Sequence, residues 1–226
     1  MQTDEATGAT GATGATEATR VETTVERLRG VYPNATCALR FSNPLELLVA
    51  TILAAQCTDE RVNIVTTTLF QTYRSAQDYA NAPLDELEAA VKPTGFYRNK
   101  ARNIQAACRI LVQEYGGDVP RTMDALTALP GVARKTANVV MGNAHGIVEG
   151  IAVDTHVGRV SRRLGLTGND DPVRVETDLM ALLPVREWLD TGHRIILHGR
   201  TVCTARKPDC PGCLLNDICP SAGIAG

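Results

Sequence analysis

From Val21 onward, apolar residues recur at intervals of three and four, the spacing that lines one face of a helix, and helix-start signals interrupt the pattern. These signals are Asn43-Pro44, Thr58-Asp59, Ala82-Pro83, Thr122 and Asp171-Pro172, where a capping side chain or a proline in the first turn opens the next periodic run. The periodic pattern as a whole predicts about ten helices. Alternating runs of Val, Ile and Thr bounded by hairpin turns are nearly absent, and VVMG at 139–142 continues a helical pattern rather than starting a strand. The expected fold class is all-α.

Two segments carry the most information. Arg98 to Tyr115 reads as an amphipathic helix stopped by Gly116-Gly117, with Ile104, Ala107, Ile110 and Leu111 on one face and Arg98, Lys100, Arg102 and Arg109 on the other. MDALTALPGVARKTANVVMG then reads as helix, tight Pro-Gly turn, helix, with Leu126 and Leu129 before the turn and Ala137, Val140 and Met141 after it. This is a helix-hairpin-helix pattern. Residues 1–20, by contrast, form a Gly-Ala-Thr repeat with no large apolar side chain after Met1, and are expected to be a disordered low-complexity tail.

Composition narrows the function classes. The 226 residues are 44% hydrophobic and 21% charged, enough for one large domain or two small ones around a true core. Lys and Arg number 23 against 25 Asp and Glu, a net charge of −2, so any nucleic-acid footprint must be local. Basic residues do cluster: Arg159, Arg162 and Arg163 lie in one stretch without an acid, and Arg194, Arg200, Arg206 and Lys207 lie in another, as candidate phosphate contacts. The most apolar stretch, Leu45 to Ala55, contains Glu46 and is too short to span a bilayer, and the N-terminus has no signal layout. A cytoplasmic protein with no membrane partner is expected.

Seven cysteines, four of them in the last 24 residues, argue against a secreted disulfide framework. Cys203, Cys210, Cys213 and Cys219 are spaced C-x6-C-x2-C-x5-C, with Pro208, Pro211, Gly212 and Pro220 keeping the chain in turns, so four thiolates can converge. The spacing alone leaves an iron–sulfur cluster, a zinc site and coincidence open. Cys37, Cys57 and Cys108 lie in apolar helical contexts and read as buried packing residues.

Three further features carry candidate chemistry. The turn Leu129-Pro130-Gly131-Val132-Ala133 presents backbone N–H groups at the start of a helix, where an anion such as a DNA phosphate is favoured, although such a turn also serves as a plain connector. Lys135 follows at once, one of only four lysines, where a helix N-terminus, Arg134 and partial burial would each disfavour its charged form and free it as a nucleophile; the alternative is an ordinary phosphate contact. Asp154 closes the apolar run Ile151-Ala152-Val153 just ahead of a helix, and fits both an N-cap and a catalytic carboxylate. His156 reads as an ordinary helix-start histidine.

Together, LLVATILAAQCTD at 47–59, LPGVARKTANVV at 129–140, AVDTHVGRV at 152–160 and HGRTVCTARKPDCPGC at 198–213 resemble the endonuclease III family of DNA base-excision glycosylases, over nearly everything after the tail. The resemblance implies two helical domains with a DNA-binding cleft between them: residues 37–147 bearing the hairpin, and residues 21–36 plus 148–226 bearing a [4Fe-4S] cluster loop. It implies Lys135 as the nucleophile, Asp154 as the catalytic carboxylate and Cys203, Cys210, Cys213 and Cys219 as cluster ligands. It implies DNA contacts at Gly131, Val132, Ala133 and Arg134, and Gln56 as the residue that fills the gap left by an extruded nucleotide. Arg206 and Lys207, between the first two cluster cysteines, are expected to contact phosphate.

The implied activity is removal of damaged pyrimidines from duplex DNA through a lysine Schiff base, followed by strand cleavage at the abasic site, by a monomer. Three departures bear on lesion range and opposite-base preference: Ala133 where the hairpin usually has a second Gly, Ala54 where Ser is common, and Thr94 with Phe96 where aliphatic wedge residues are usual. A Phe96 wedge could stack on the orphaned base. The alternatives are a non-catalytic damage-binding module and an adenine-mispair glycosylase relative, which normally lacks the lysine.

Overall fold

The helix starts follow from their capping residues. Asn43 accepts from the Glu46 N–H ahead of Pro44, Thr58 from Arg61, Thr122 from Ala125, and Asp171 from both Val173 and Arg174. Ser75 and Asp78 close a reciprocal capping box that the sequence reading passed over. Pro83 stands one residue outside its helix, at the N-cap itself.

The computed structural model describes residues 17–223. Among these there are eleven α-helices and no strand: α1 Glu17–Val31, α2 Pro44–Leu53, α3 Asp59–Thr72, α4 Ala76–Asn81, α5 Leu84–Val91, α6 Tyr97–Tyr115, α7 Met123–Thr127, α8 Arg134–Val140, α9 Thr155–Arg163, α10 Pro172–Leu182 and α11 Trp188–Thr201. Short 3-10 turns at Lys92–Thr94 and Val185–Glu187 and a π-helical turn at Met141–His145 complete the set, so the VVMG segment does stay helical.

Two apolar cores organise these helices. Leu47, Leu53, Leu87, Ile104, Leu126 and Met141 belong to the first, built by α2 to α8 and the π turn. Leu28, Val157, Leu179, Ile195 and Leu215 belong to the second, which gathers α1 with α9 to α11 and the cysteine-rich loop. The chain therefore begins in the second core, crosses to the first, and returns. α1 is tied in place by Arg20, which donates to the Gly165 carbonyl, and by Arg27, which holds the Leu214 carbonyl and Asp217.

Several expectations change. The tail expected over residues 1–20 overlaps α1, which begins at Glu17, and residues 1–16 lie outside the described part. Val21 and Leu28 supply the apolar face that the Gly-Ala-Thr repeat lacks. On α6, Lys100 is not on the solvent face: it is only 4% exposed and bonds two backbone carbonyls. Cys108 is a buried helical residue, whereas Cys37 and Cys57 lie in loops and not in helices, half-buried but still packed against the first core. Among the described residues, no helix is long and apolar enough to cross a membrane.

The return of the N-terminal helix to the second core can be tested directly. Leu28→Ala is expected to cost about 2–5 kcal/mol in urea unfolding, as for other fully buried leucines, whereas Val31→Ala, at an exposed position three residues on, should stay within about 0.5 kcal/mol.

Candidate active site

The two cores meet along a cleft. A cavity of 320 Å³ and a wider, more open one of 1030 Å³ adjoin there, and Ala54, Gln56, Asp59, Lys135, Asp154 and Arg200 line both. Lys135 comes from the first core and Asp154 borders the second, so the amine and the carboxylate face one space only because the cores are docked.

Lys135 is placed by the hairpin. Gly131 adopts φ +80°, and a Cβ there would lie 2.9 Å from the Asn103 side chain, so glycine is required twice over. The Val132 side chain is buried and its N–H returns to the Leu129 carbonyl at 3.1 Å, so Val132 shapes the turn from within instead of offering its N–H outward. Ala133 stands at the N-cap of α8 with an extended backbone that any residue can adopt, and its missing side chain offers no cap. Lys135 itself is exposed, contrary to the expected partial burial.

Asp154 caps α9. Its Oδ1 accepts from the His156 and Val157 N–H groups, both at 2.8 Å, and Oδ2 has no hydrogen bond among the described residues. Both readings of this carboxylate are therefore compatible in geometry. Gln56 lies in the turn after α2 at φ 52°, a left-handed conformation that a non-glycine residue adopts only under constraint.

Arg134, expected as a DNA contact, is engaged elsewhere. Its Nε and Nη2 donate to the two oxygens of Glu176 at 2.7 and 3.2 Å, and Asn138 Nδ2 donates to Glu176 Oε1 at 2.8 Å. Glu176, on α10, is 5% exposed. Sequence reasoning missed it, because a glutamate on an amphipathic helix reads as solvent-facing. The only local sign is Gly150: a Cβ there would sit 2.0 Å from Glu176 Oε1.

The basic clusters are likewise split by the fold. Arg159 donates to the Gly199 and Cys203 carbonyls, Arg163 to those of Thr204 and Ala205, and Arg194 is buried between Glu187 and Asp190. Arg162 pairs with Asp170 and Arg200 with Asp59. These arginines hold the scaffold, whereas Arg206 and Lys207 are exposed on the loop that Arg163 shapes.

Cys203, Cys210, Cys213 and Cys219 line one concavity with Arg163, His198 and Pro208. The Leu215 N–H and Arg163 Nη1 approach the sulfurs of Cys213 and Cys203, both at 3.4 Å. Burial pushes the Cys213 and Cys219 thiols up, and neighbouring sulfurs add to the effect, which a cationic metal core would relieve. Among the described residues, no three His, Cys, Asp or Glu side chains form a set that could hold a metal ion. The four cysteines share one concavity, and a four-iron cluster would take one thiolate at each iron.

Residues 49–185 match the family described as HhH-GPD superfamily base excision DNA repair protein, and residues 203–219 match the iron-sulfur binding domain of endonuclease III. Endonuclease III of Synechocystis sp. (strain ATCC 27184 / PCC 6803 / Kazusa) is 56% identical over 195 residues, covering 86% of this chain and 89% of that protein. The Escherichia coli (strain K12) endonuclease III is 42% identical over 193 residues, covering 85% and 91%. The chain belongs to the endonuclease III family.

A solved structure of a trapped endonuclease III–DNA covalent intermediate, an estranged-adenine complex, superimposes with a TM-score of 0.88 at 47% identity, covering 92% of this chain and 98% of that one. A non-covalent endonuclease III–DNA complex matches equally well, with a TM-score of 0.88. Endonuclease III proteins carry a [4Fe-4S] cluster, which is the cofactor here.

Two departures from the endonuclease III pattern now have a structural meaning. Thr94 is buried and donates its hydroxyl to the Val91 carbonyl at 2.8 Å, so it is not available as a wedge. Phe96 is 65% exposed and left-handed at φ 46°, projecting from the start of α6. The backbone at Ala133 needs no second glycine.

Two outcomes follow for this site. Cys210→Ser should abolish the broad visible absorbance of the cluster in the purified protein; an unaltered spectrum would contradict the loop as its site. Glu176→Gln should lower stability to urea by about 1–3 kcal/mol, less than a fully buried pair because Arg134 is half-exposed, and an unchanged midpoint would show that the contact is dispensable.

Proposed function

We infer that this protein is a base-excision repair enzyme, a bifunctional DNA glycosylase and abasic-site lyase, acting on damaged pyrimidines in duplex DNA. The observation that carries the reading is the shared cleft: a lysine on one core and a carboxylate bordering the other line the same space, beside a strained glutamine. The lysine separates this reading from a non-catalytic damage-binding module and from an adenine-mispair glycosylase relative.

The 320 Å³ cavity is of the size that holds a small ligand, and it takes the extruded nucleobase, with Asn138, Asn143, His193 and Arg200 among its walls. A damaged pyrimidine is weakly stacked and costs less to extrude than an intact one. Gln56 enters the space that the nucleotide leaves, and Phe96 meets the opposite strand. Gly131 and Ala133 present the hairpin to a phosphate, with Val132 packed beneath them and the Arg134 side chain held by Glu176.

In the reaction, Lys135 Nζ attacks the sugar C1′, and the base departs with the electron pair of the glycosidic bond. The amine gives a proton to Asp154, which returns it to O4′ as ring opening breaks C1′–O4′ and gives a Schiff base, a C1′=N iminium to Lys135. Loss of a proton from C2′ then expels the 3′ phosphate by β-elimination. Asp154, with Oδ2 uncommitted, stabilises the cationic sugar and takes up a proton.

Cys203, Cys210, Cys213 and Cys219 hold the [4Fe-4S] cluster, which supplies a rigid cross-link for the loop. Arg206 and Lys207 on that loop contact phosphate. The protein acts as a monomer in the bacterial cytoplasm, consistent with its bacterial relatives.

Borohydride reduction on a duplex with one oxidised pyrimidine should trap a covalent adduct with the natural protein and none with Lys135→Gln, while lesion binding is retained. Asp154→Asn preserves a good helix cap and should slow base removal by about 10²- to 10⁴-fold with little change in stability. Trapping by the Lys135 variant, or an Asp154→Asn enzyme at full rate, would defeat the respective assignment.

A further inference from the structure

The two non-glycine residues with left-handed backbones among the described residues, Gln56 and Phe96, are both exposed and lie on different loops: one follows α2, the other precedes α6. A single buried ammonium bridges those loops. Lys100 Nζ donates to the Leu53 carbonyl at 2.8 Å, three residues before Gln56, and to the Thr94 carbonyl at 2.7 Å, two residues before Phe96. Its own backbone N–H donates to the Phe96 carbonyl at 3.2 Å, so Lys100 holds the Phe96 loop from two sides.

The bridge is not an ion pair. Lys100 has no carboxylate partner among the described residues and is 4% exposed, with burial drawing its ammonium below the ordinary lysine value. What stabilises the charge is the carbonyl end of α2, where helix dipoles leave partial negative charge, together with the Thr94 carbonyl. A methionine of similar length would fill the space and leave both carbonyls without this donor. Neither residue has glycine's ease at positive φ, and Phe96, at the N-cap of α6, has no side-chain cap bond.

We propose that Lys100 is a positioning residue that fixes the spacing between the Gln56 and Phe96 loops, so that both side chains enter the duplex in concert when a nucleotide is extruded. This rests on the duplex-entry reading of Gln56 and Phe96 given above. Lys100 touches neither the substrate nor the reacting atoms, so its effect falls on opening of the duplex and not on the amine chemistry at Lys135.

The test compares two substrates for Lys100→Met: single-turnover base excision from a lesion-bearing duplex, and strand cleavage at a preformed abasic site in single-stranded DNA, which needs no opening. Misplacement of a positioning loop by an ångström can cost up to about a hundredfold, so duplex excision should fall by about tenfold or more while single-strand cleavage stays within about twofold. The ratio of the two rates is independent of the folded fraction. If Lys100→Met does not fold, Lys100→Arg, which keeps the charge but shifts its donors, is read by the same ratio.

Equal losses on both substrates, or no loss on either, would overturn the proposal. Gln56→Ala and Phe96→Ala measured alongside separate the two claims. If they show no duplex-specific loss, the duplex-entry reading fails and the proposal falls with it. If they do show one and the Lys100 variants do not, only the positioning role of Lys100 is lost.

Discussion

The chemistry depends on one ionic junction between two cores. Glu176 projects from α10 in the second core and binds Arg134 and Asn138, one helical turn apart on α8 of the first. Lys135 lies between them in sequence, so the element that carries the amine is held against the core that Asp154 borders. A buried carboxylate is costly to dehydrate, and such a pair adds little net stability over apolar packing. Its value is in fixing register, and Gly150 keeps the space that Glu176 needs, since a Cβ there would meet Oε1 at 2.0 Å.

The same economy governs the cations. A chain with net charge −2 has no overall attraction for a polyanion, and most of its clustered arginines are committed to carbonyls or carboxylates. Arg159 and Arg163 tie α9 to the cysteine loop and so set where Arg206 and Lys207 emerge. The cluster and the arginines thus act together to present a small basic surface on an otherwise neutral protein.

Local chemistry was readable from the sequence. Caps at Asn43, Thr58, Thr122 and Asp171 depend on neighbours two or three residues away, and so did the hairpin turn, the capping position of Asp154 and the cysteine spacing. What was hidden depends on partners far along the chain. Lys100 looked like part of a basic face because the carbonyl of Leu53, 47 residues away, is what buries it. Glu176 was hidden for the same reason, since Arg134 and Asn138 are 42 and 38 residues away, and Thr94 looked available until its burial at 2% exposure was seen.

The central claim is that one amine in the cleft forms the bond to DNA. The chain has four lysines: Lys92 is exposed on a 3-10 turn, Lys100 is buried against carbonyls, Lys207 is on the cysteine loop, and only Lys135 lines the cleft with Asp154. Peptide mapping by mass spectrometry of the borohydride-reduced protein–DNA adduct reads the site of attachment directly. The account predicts the sugar remnant on Lys135 alone. Attachment at Lys92, Lys100, Lys207 or the N-terminal amine would contradict it.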